Sequence, residues 1–305
     1  MTKTSYNDPL WEHFIPVWAN LEELGCNACL IGGYALALKQ RWLLESEDIS
    51  TLVDKEQWPI SRVTQDLDVV FPIRVIGDHE KNPGIEKILT GLGWTPHHEH
   101  GNWTYIKSIK GFAEPIKFEL HTPIPPPDGV SVKVRGRRVK PKPKPSSGEK
   151  TVHGTPNPEA IGFDSFPTEF DCPSPDVTSS NHVRIPHPLS LCMMKLISAT
   201  DRYKRSQRAN TTPEKRELQL FQARKHAGDI GRSIAMLLRE EMNSMKKIRE
   251  CVQRTEPFQK ACKILYADFI PTDGWAHLFL RQPQHWNEDD FTQIISILSE
   301  WFPAD

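Results

Sequence analysis

Two aspartates separated by a single residue give the strongest chemical signal in this sequence. Asp66 and Asp68 lie in segment 63–71, between apolar residues, which predicts a β-strand near the centre of a sheet. Because side chains alternate between the faces of a strand, both carboxylates should project from the same face. Carboxylates held that close repel each other unless a cation lies between them. The pattern therefore predicts a divalent-metal site, with a solvated pair of acids as the alternative.

A glycine pair lies between two apolar segments upstream of these acids. Residues 28–31 predict a short buried strand and residues 34–44 predict a helix, so Gly32 and Gly33 form the turn that joins them. The N–H groups at the start of a helix bind phosphate, and glycine leaves them uncovered. A tight turn without a ligand is the alternative. Together with the aspartates, the turn predicts a magnesium-dependent site for a nucleotide.

A third carboxylate, Glu119, comes from a later predicted strand at 115–121. Apolar residues occupy one face of that strand, and Glu119 shares the other face with Lys117 and His121. A third acid beside a metal pair can accept a proton from an attacking hydroxyl or hold a second metal ion. An exposed strand residue is the alternative. Two residues just before the paired aspartates are predicted to orient them, to contact a phosphate or to be structural: Arg62 and Thr64.

Cationic side chains recur at helical spacing in the C-terminal part of the chain. Lys195 lies within an apolar run, and Arg202 falls on the same helical face seven residues later. Lys225 and Asp229 are four residues apart and share a face of the next predicted helix. These residues could bind a triphosphate. The alternative is an interdomain salt bridge, or a lysine stem packed along the core with its charge in water.

Composition places the chain in an ordinary globular class. Its 305 residues suffice for about two domains, and 38 % hydrophobic with 25 % charged residues is typical of a protein with a buried core. A net charge of −1 gives no bulk reason to bind nucleic acid or membrane. No apolar run approaches the ~20 residues of a membrane span. Six scattered cysteines indicate reduced thiols. We therefore expect a cytoplasmic protein without a membrane partner.

The chain divides into three stretches by pattern. Residues 1–124 alternate predicted helices and strands, which favours a small mixed sheet with packed helices. Residues 125–185 are rich in proline and read as an extended insertion or linker with short strands near 130–139 and 182–185. Residues 186–305 are helical by spacing. The predicted class is α+β, with a C-terminal helical domain.

The insertion carries a basic run at 133–144. Prolines between its lysines keep it extended, and no aromatic residue interrupts it. It therefore predicts either a solvated segment or contacts with a nucleic-acid backbone that weaken with salt, rather than stacking on bases.

The glycine turn followed by Asp66, Asp68 and Glu119 resembles the nucleotidyltransferase superfamily with the DNA polymerase β-type palm. Within it, the chain is most similar to AbiEii-type nucleotidyltransferases, the toxin halves of bacterial toxin–antitoxin and abortive-infection systems. It departs from that pattern in a longer gap between glycines and acids, in a glutamate as third acid, and in the basic insertion. The segments that carry the resemblance are 30–37, 62–68, 194–202 and 225–229.

The resemblance implies an N-terminal palm, a helical C-terminal domain and transfer of an NMP from an NTP to an acceptor hydroxyl, with pyrophosphate as leaving group. Two Mg²⁺ ions would be held by Asp66 and Asp68 with Glu119, which would also help to ionise the acceptor. The implied acceptor is RNA, such as a tRNA 3′ end, or a protein, and an antitoxin protein is an implied partner. The implied nucleotide-binding residues are Gly32, Gly33, Tyr34, Arg62, Thr64, Lys195, Arg202, Lys225 and Asp229.

Two other classes fit the same residues. One is a non-catalytic nucleotide- or RNA-binding module, although all three acids are present. The other is a metal-dependent phosphoesterase that uses the same carboxylates. Release of pyrophosphate rather than phosphate from NTP separates transfer from hydrolysis.

Overall fold

Helices and strands are mixed along the chain, as the sequence predicted. The computed structural model describes residues 8–59, 64–126, 131–136, 138–142, 149–172, 182–281 and 286–304. Helix accounts for 52 % and strand for 16 %, which confirms the α+β class. The chain folds into two compact units. The first comprises Met1–Tyr34, Val63–Asn157 and Glu169–Arg184, and the second comprises Ala35–Arg62, Pro158–Thr168 and Ile185–Asp305.

A mixed sheet forms the centre of the first unit. Its strand order is β1-β2-β5-β4-β3, and β8 pairs with the end of β5. Strands β2 and β5 are parallel, as are β5 and β8, whereas the other neighbours are antiparallel. The strands are β1 (Cys29–Ile31), β2 (Asp66–Val70), β3 (Thr95–His97), β4 (Gly101–Lys107), β5 (Ile116–Thr122), β6 (Val132–Arg135), β7 (Arg138–Pro141) and β8 (Thr155–Pro156).

The two faces of the sheet differ sharply in polarity. Leu67, Val69, Phe118 and Leu120 are fully buried on one face, because alternate residues of β2 and β5 are apolar. The intervening residues of both strands carry the acids and a histidine on the other face. The helices of this unit are α1 (Trp11–Glu23), the first turn of α2 (Gly32–Glu45), α3 (Ile73–Ile76) and α4 (Lys81–Gly91), and α1 packs against α4.

The predicted insertion contributes ordered elements where it is described. Strands β6 and β7 form an antiparallel hairpin, and β9 (Thr168–Asp171) pairs with β10 (His182–Ile185). Strands near both predicted positions are therefore confirmed. Val139 and Val152 are fully buried. The described part of the basic run thus belongs to a hairpin with a buried side. The prolines had instead predicted an extended segment.

Helices dominate the second unit. Helix α5 begins at Pro188, where the missing N–H is harmless, and the His187 side chain caps it by accepting a hydrogen bond from the Leu189 N–H. Its helices are most of α2, α5 (Pro188–Ser206), α6 (Pro213–Ala235), α7 (Arg239–Val252), α8 (Glu256–Ile264), α9 (Trp275–Arg281) and α10 (Glu288–Trp301). Short 3₁₀ turns lie at Lys55–Gln57 and Pro158–Ala160, and a π-helical turn at Leu265–Phe269.

A buried ion pair joins α2 to α7 within this unit. The Lys39 ammonium donates hydrogen bonds to both carboxylate oxygens of Glu241, at 2.6 and 2.7 Å. Glu241 also accepts from the Thr168 hydroxyl and from the Leu238 N–H at the start of α7. A buried carboxylate needs such partners to offset its lost hydration. Among the helices that the structure describes, none is both long and apolar enough to cross a membrane.

Candidate metal centre

Strand register brings the predicted acids together. Asp68 is the direct partner of Glu119 across the parallel strands β2 and β5, and Asp66 is the partner of Lys117. Partners in a ladder present their side chains on the same face, so Asp66, Asp68 and Glu119 share one face of the sheet. The two-residue alternation predicted this for the aspartates. The pairing of β5 with β2 adds the third acid.

Three side chains on this face converge closely enough to bind one ion. Asp68, Glu119 and His121 each offer a ligand atom, and these atoms lie within 4.8 Å of one another. Nε2 of His121 is 3.4 Å from Oδ1 of Asp68 and 3.8 Å from Oε2 of Glu119. Their side chains are 26 %, 34 % and 16 % exposed for Asp68, Glu119 and His121, so solvent and solutes reach the group.

The electrostatics of the group favour a bound cation. Burial raises the pKa of Glu119, and the negative charges of Asp68 and Asp66 raise it further, against smaller opposing effects of His121 and Lys117. Burial lowers the pKa of His121, but the contact with Asp68, its charge and that of Glu119 outweigh burial, so the net shift is upward. The raised pKa of His121 and part of that of Glu119 thus come from neighbouring negative charge, which a divalent cation would neutralise.

The donor set fits a divalent metal ion. Nδ1 of His121 is buried and has no hydrogen-bond partner among the described residues, and Nε2 faces the two carboxylates at 3.4 and 3.8 Å. Such atoms call for a further partner, and a metal ion is one. Carboxylates suit Mg²⁺, Mn²⁺ and Ca²⁺, whereas imidazole suits Mn²⁺, Fe²⁺ or Zn²⁺ better than Mg²⁺. The group therefore fits a divalent ion without specifying magnesium.

Gly32 places the start of α2 directly against this group. Its φ is +80°, and a Cβ added there would lie 2.4 Å from Oδ2 of Asp68. Only glycine fits a position that combines a left-handed backbone with so close a carboxylate. The sequence predicted that this helix begins at Tyr34, but it begins two residues earlier, at Gly32. The uncovered N–H groups of its first turn thus begin beside Asp68.

The side chain of Tyr34 packs in the core of the first unit. The ring is 2 % exposed and stands edge-on to Phe14, with centroids 5.4 Å apart. Its hydroxyl donates a hydrogen bond of 2.9 Å to Oδ2 of Asp8. The predicted phosphate contact of Tyr34 therefore concerns its backbone N–H alone.

The residues before the aspartates have a local role where they are described. The Thr64 hydroxyl accepts a hydrogen bond of 3.4 Å from the Asp66 N–H, which fits the predicted orienting role. Asp66 lies two register pairs from Asp68 and is outside the group that meets within 4.8 Å in the described part of the chain. Arg62 lies outside the described residues.

The predicted helical residues belong to a different cluster in the second unit. Lys195 donates to Oδ2 of Asp229 at 2.8 Å, and Arg232 donates to Oδ1 of Asp229 at 2.6 Å. All three are buried. Lys195 thus forms a salt bridge within the second unit, not the interdomain salt bridge that was the alternative. Arg232 was not predicted, although its i+3 spacing from Asp229 on the same helix would have indicated it.

The remaining predicted cations lie on the same two helices. Arg202 on α5 donates a hydrogen bond of 3.4 Å to Gln219, and burial lowers its pKa, with help from the charge of Arg205. Lys225 is half-buried on α6. Their contacts with a nucleotide stay predictions.

Sequence reasoning missed His121 as a site residue. It was placed on the face of Glu119, and its position two residues later in the same strand was the available signal. Its ligand role depends on the register of β5 against β2, which joins residues about fifty positions apart in sequence.

Comparison with protein-family models, with curated proteins and with solved structures found no match for this chain. Functional assignment therefore depends on the chemistry of the site itself.

Proposed function

We propose that this chain is a divalent-metal-dependent nucleotidyltransferase with a palm-type N-terminal part, which transfers an NMP from an NTP to an acceptor hydroxyl. The observation that carries the proposal is the in-register pair Asp68 and Glu119, which lies beside the Gly32 start of α2. The site thus combines carboxylates that can hold a cation with helix N–H groups that can hold phosphate. Both are needed to position a nucleoside triphosphate.

Each residue has a distinct task in this proposal. Asp68 and Glu119, with Asp66 on the same face, would hold the cation, for which the sequence pattern favours magnesium in two-ion form. When bound, the cation supplies charge neutralisation and orientation of the triphosphate oxygens. The N–H groups of Gly32 and Gly33 would donate to β- and γ-phosphate oxygens. These fixed dipoles orient the α-phosphate for in-line attack.

Glu119 is the residue that would accept the proton of the acceptor hydroxyl. Its carboxylate is about one third exposed, so an acceptor hydroxyl can approach it. Glu119 would take the hydroxyl proton at a carboxylate oxygen while the pyrophosphate leaves.

The proposal also covers the acceptor and the helical residues. RNA or a protein would supply the hydroxyl, an antitoxin protein would be the regulatory partner, and the protein would act in the cytoplasm. The cations Lys195, Arg202 and Lys225 would offset phosphate charge. Lys195 would do so while paired with Asp229, which offsets part of its charge.

A second candidate, a metal-dependent phosphoesterase, is favoured by one observation. His121 converges with the two carboxylates, and an imidazole in the ligand set suits the softer divalent metals. In that reaction water rather than an acceptor hydroxyl attacks phosphorus. The two candidates therefore differ in their product, since hydrolysis leaves no nucleotide on an acceptor.

The experiment that tests the proposal is label transfer. The protein is incubated with each NTP labelled at the α-phosphate, with Mg²⁺ or Mn²⁺, and with total RNA or candidate proteins. We expect label on an acceptor, reduced about 100-fold or more in Asp68→Asn, because a lost metal ligand removes several kcal/mol of transition-state stabilisation. Glu114→Gln is the matched control, since Glu114 is exposed and outside the group. Absence of both transfer and NTP binding by calorimetry would overturn the proposal.

A further inference from the structure

The hairpin β6–β7 concentrates positive charge on one face. Lys133 is the direct cross-strand partner of Lys140, and Arg135 is the partner of Arg138. Cross-strand partners project from the same face, so these four cations are neighbours. Like charges directly opposite one another destabilise a sheet. Two adjacent like-charge pairs therefore carry an energetic cost that a bound polyanion would offset.

The opposite face of the hairpin anchors it to the rest of the first unit. Val139 is fully buried, and its backbone exchanges two hydrogen bonds with Gly154, at 2.8 and 2.9 Å. The Lys142 N–H closes the hairpin by donating to the Ser131 carbonyl. The cationic face is thus held on a fixed support rather than on a flexible arm.

The neighbouring segment is held by buried amides. The side chain of Asn82 donates to the Val152 carbonyl and accepts from the Val152 N–H, at 3.0 and 2.9 Å. Asn102 donates from its side chain to the Thr151 carbonyl at 2.8 Å. Asn82 is fully buried. These bonds fix the path of the chain beside the hairpin and make the space between them pre-organised.

A cavity of about 410 Å³ lies between the hairpin and this segment. Its size is within the ~300–1,000 Å³ range of ligand sites. Glu149 is the sole acid among its lining residues, and it pairs with Lys87 at 3.7 Å. Lys133, Arg135 and Lys150 are exposed and have no carboxylate partner in the part of the chain that the structure describes. The charged lining residues are Lys133, Arg135, Lys140, Glu149 and Lys150.

His153 is a mostly buried imidazole at the wall of this cavity. Burial, followed by the charges of Lys140 and Arg138, lowers its pKa to about 4. Its Nδ1 is buried and has no hydrogen-bond partner among the described residues. The cavity therefore offers a neutral imidazole in addition to its cations.

Trp103 stacks against one cation of this face, Arg138. The guanidinium of Arg138 lies 3.9 Å from the centroid of the Trp103 indole ring. Stacking of this kind orients the guanidinium and leaves its in-plane N–H donors available for phosphate oxygens. Because Arg138 covers the ring, Trp103 is not presented to a nucleobase.

We infer that the basic cavity of the β6–β7 hairpin binds the sugar–phosphate backbone of a single nucleic-acid strand. Cations two residues apart on a strand are about 7 Å apart. Such a row matches a linear polyanion better than one isolated phosphate. The inference rests on the proposed function, because it names the class of acceptor that would supply the hydroxyl.

The position of the cavity relative to the metal group supports this assignment. Thr155 of β8 is the direct partner of His121 on β5, and His153 in the cavity precedes Thr155 by two residues. Two residues of extended chain span about 7 Å. A strand held in the cavity thus passes close to the proposed metal group, where its terminal hydroxyl is needed.

Binding of a 5′-fluorescein oligonucleotide of about 12 residues tests the inference. Anisotropy is measured in EDTA without NTP, over a range of salt concentrations, with RNA and DNA strands in parallel. The triple variant Lys133→Gln, Arg135→Gln, Lys150→Gln should bind either strand at least about tenfold more weakly. The slope of log K against log[salt] should become shallower by about 2, because each of three lost phosphate contacts contributes ~0.7. Lys150 lies outside the hairpin, and the single variant Lys150→Glu should also weaken binding of both strands.

The matched control removes the same charge elsewhere. Lys215→Gln, Arg216→Gln, Lys246→Gln changes three exposed cations of the second unit and should bind like the wild type. Equal losses in both triple variants would overturn the inference. So would displacement of the strand by NTP, tripolyphosphate or poly-glutamate at concentrations similar to those of unlabelled RNA.

The assay separates this inference from the proposed reaction. Asp68→Asn should bind the oligonucleotide no more weakly than the wild type, because binding in EDTA does not need the metal group and the variant removes a negative charge. Weak binding by the wild type would overturn the nucleic-acid site and leave nucleotidyl transfer to be judged by its own assay. Strong binding without transfer would contradict the reaction alone.

Discussion

Asp68 and Glu119 are direct partners across two parallel strands, and Asp68 also lies against Gly32 at the first residue of a helix. The pairing puts two carboxylates on one face of the sheet, and His121 completes a group that meets within 4.8 Å. The strands thus bring negative charge to the place where a helix offers N–H groups. This arrangement is the physical basis of the proposed metal and phosphate site.

Removal of one carboxylate should weaken metal binding. Asp68→Asn and Glu119→Gln each remove a charged ligand, so the Mn²⁺ affinity should fall at least about tenfold. His121→Asn should also weaken Mn²⁺, and it should affect Mg²⁺ less because Mg²⁺ prefers oxygen. Isothermal titration with each metal alone measures these affinities. Equal Mn²⁺ affinity in all three variants and in Glu114→Gln would contradict the site.

The crowded carboxylates should destabilise the metal-free protein at neutral pH. Glu119 has a raised pKa in the folded state. Its cost to stability is therefore absent below the pKa of a glutamate in the unfolded chain and fully present above the raised folded-state value. We expect Glu119→Gln to raise the unfolding midpoint in EDTA near pH 8, with a gain that shrinks as the pH falls toward ~4. A gain that is independent of pH, or a loss at pH 8, would contradict this electrostatic account.

A methyl group at Gly32 should disturb both the fold and the site. Gly32→Ala places a side chain at φ +80° and a Cβ 2.4 Å from Oδ2 of Asp68. We expect a loss of about 1–3 kcal/mol in unfolding free energy, with weaker metal binding. Gly91→Ala is the control, because its Cβ would meet no atom within 4 Å and it lies in a helix. Urea unfolding should show Gly91→Ala unchanged or slightly stabilised. Equal stability of both variants would count against the geometry.

Loss of the buried acid Glu241 should destabilise the second unit. Glu241→Leu leaves the Lys39 ammonium buried without its carboxylate, so unfolding should cost about 3–5 kcal/mol less than in the wild type. The exposed pair Arg41 and Glu45, at 3.2 Å, is the comparison, and Glu45→Gln should change stability by less than about 0.5 kcal/mol. Adding Lys39→Met to Glu241→Leu should recover part of the loss. Chemical denaturation measures all of them, and similar effects for Glu241→Leu and Glu45→Gln would contradict the role of burial.

Local pattern was enough to predict most elements of this fold. The alternation around Asp66 and Asp68 predicted a strand with both acids on one face, and its register confirms that face. Residues 186–305 were predicted to be helical, and α5 begins there at Pro188 and α10 follows Asn287, which accepts from the Asp290 N–H. Short elements such as β3 and α9 were missed, because a few residues give too little periodicity.

Contacts between segments distant in sequence could not be predicted from local sequence pattern. The pairing of β2 with β5 depends on the tertiary packing of the sheet, so the ligand role of His121 could not be deduced. The same holds for the buried salt bridge of Lys195 with Asp229, which joins two helices. The basic run was read as extended because of its prolines, whereas the alternation of valines with cations also fits a hairpin.

The central claim is that this site transfers a nucleotidyl group, and parallel labels test it most directly. The same NTP is supplied once with label at the α-phosphate and once at the γ-phosphate, with a divalent metal and an RNA acceptor. The account predicts α-label on the acceptor and γ-label in pyrophosphate, in equal amounts, with both reduced about 100-fold or more in Asp68→Asn. Release of γ-label as inorganic phosphate by the purified protein, with no α-label on any acceptor, would contradict it.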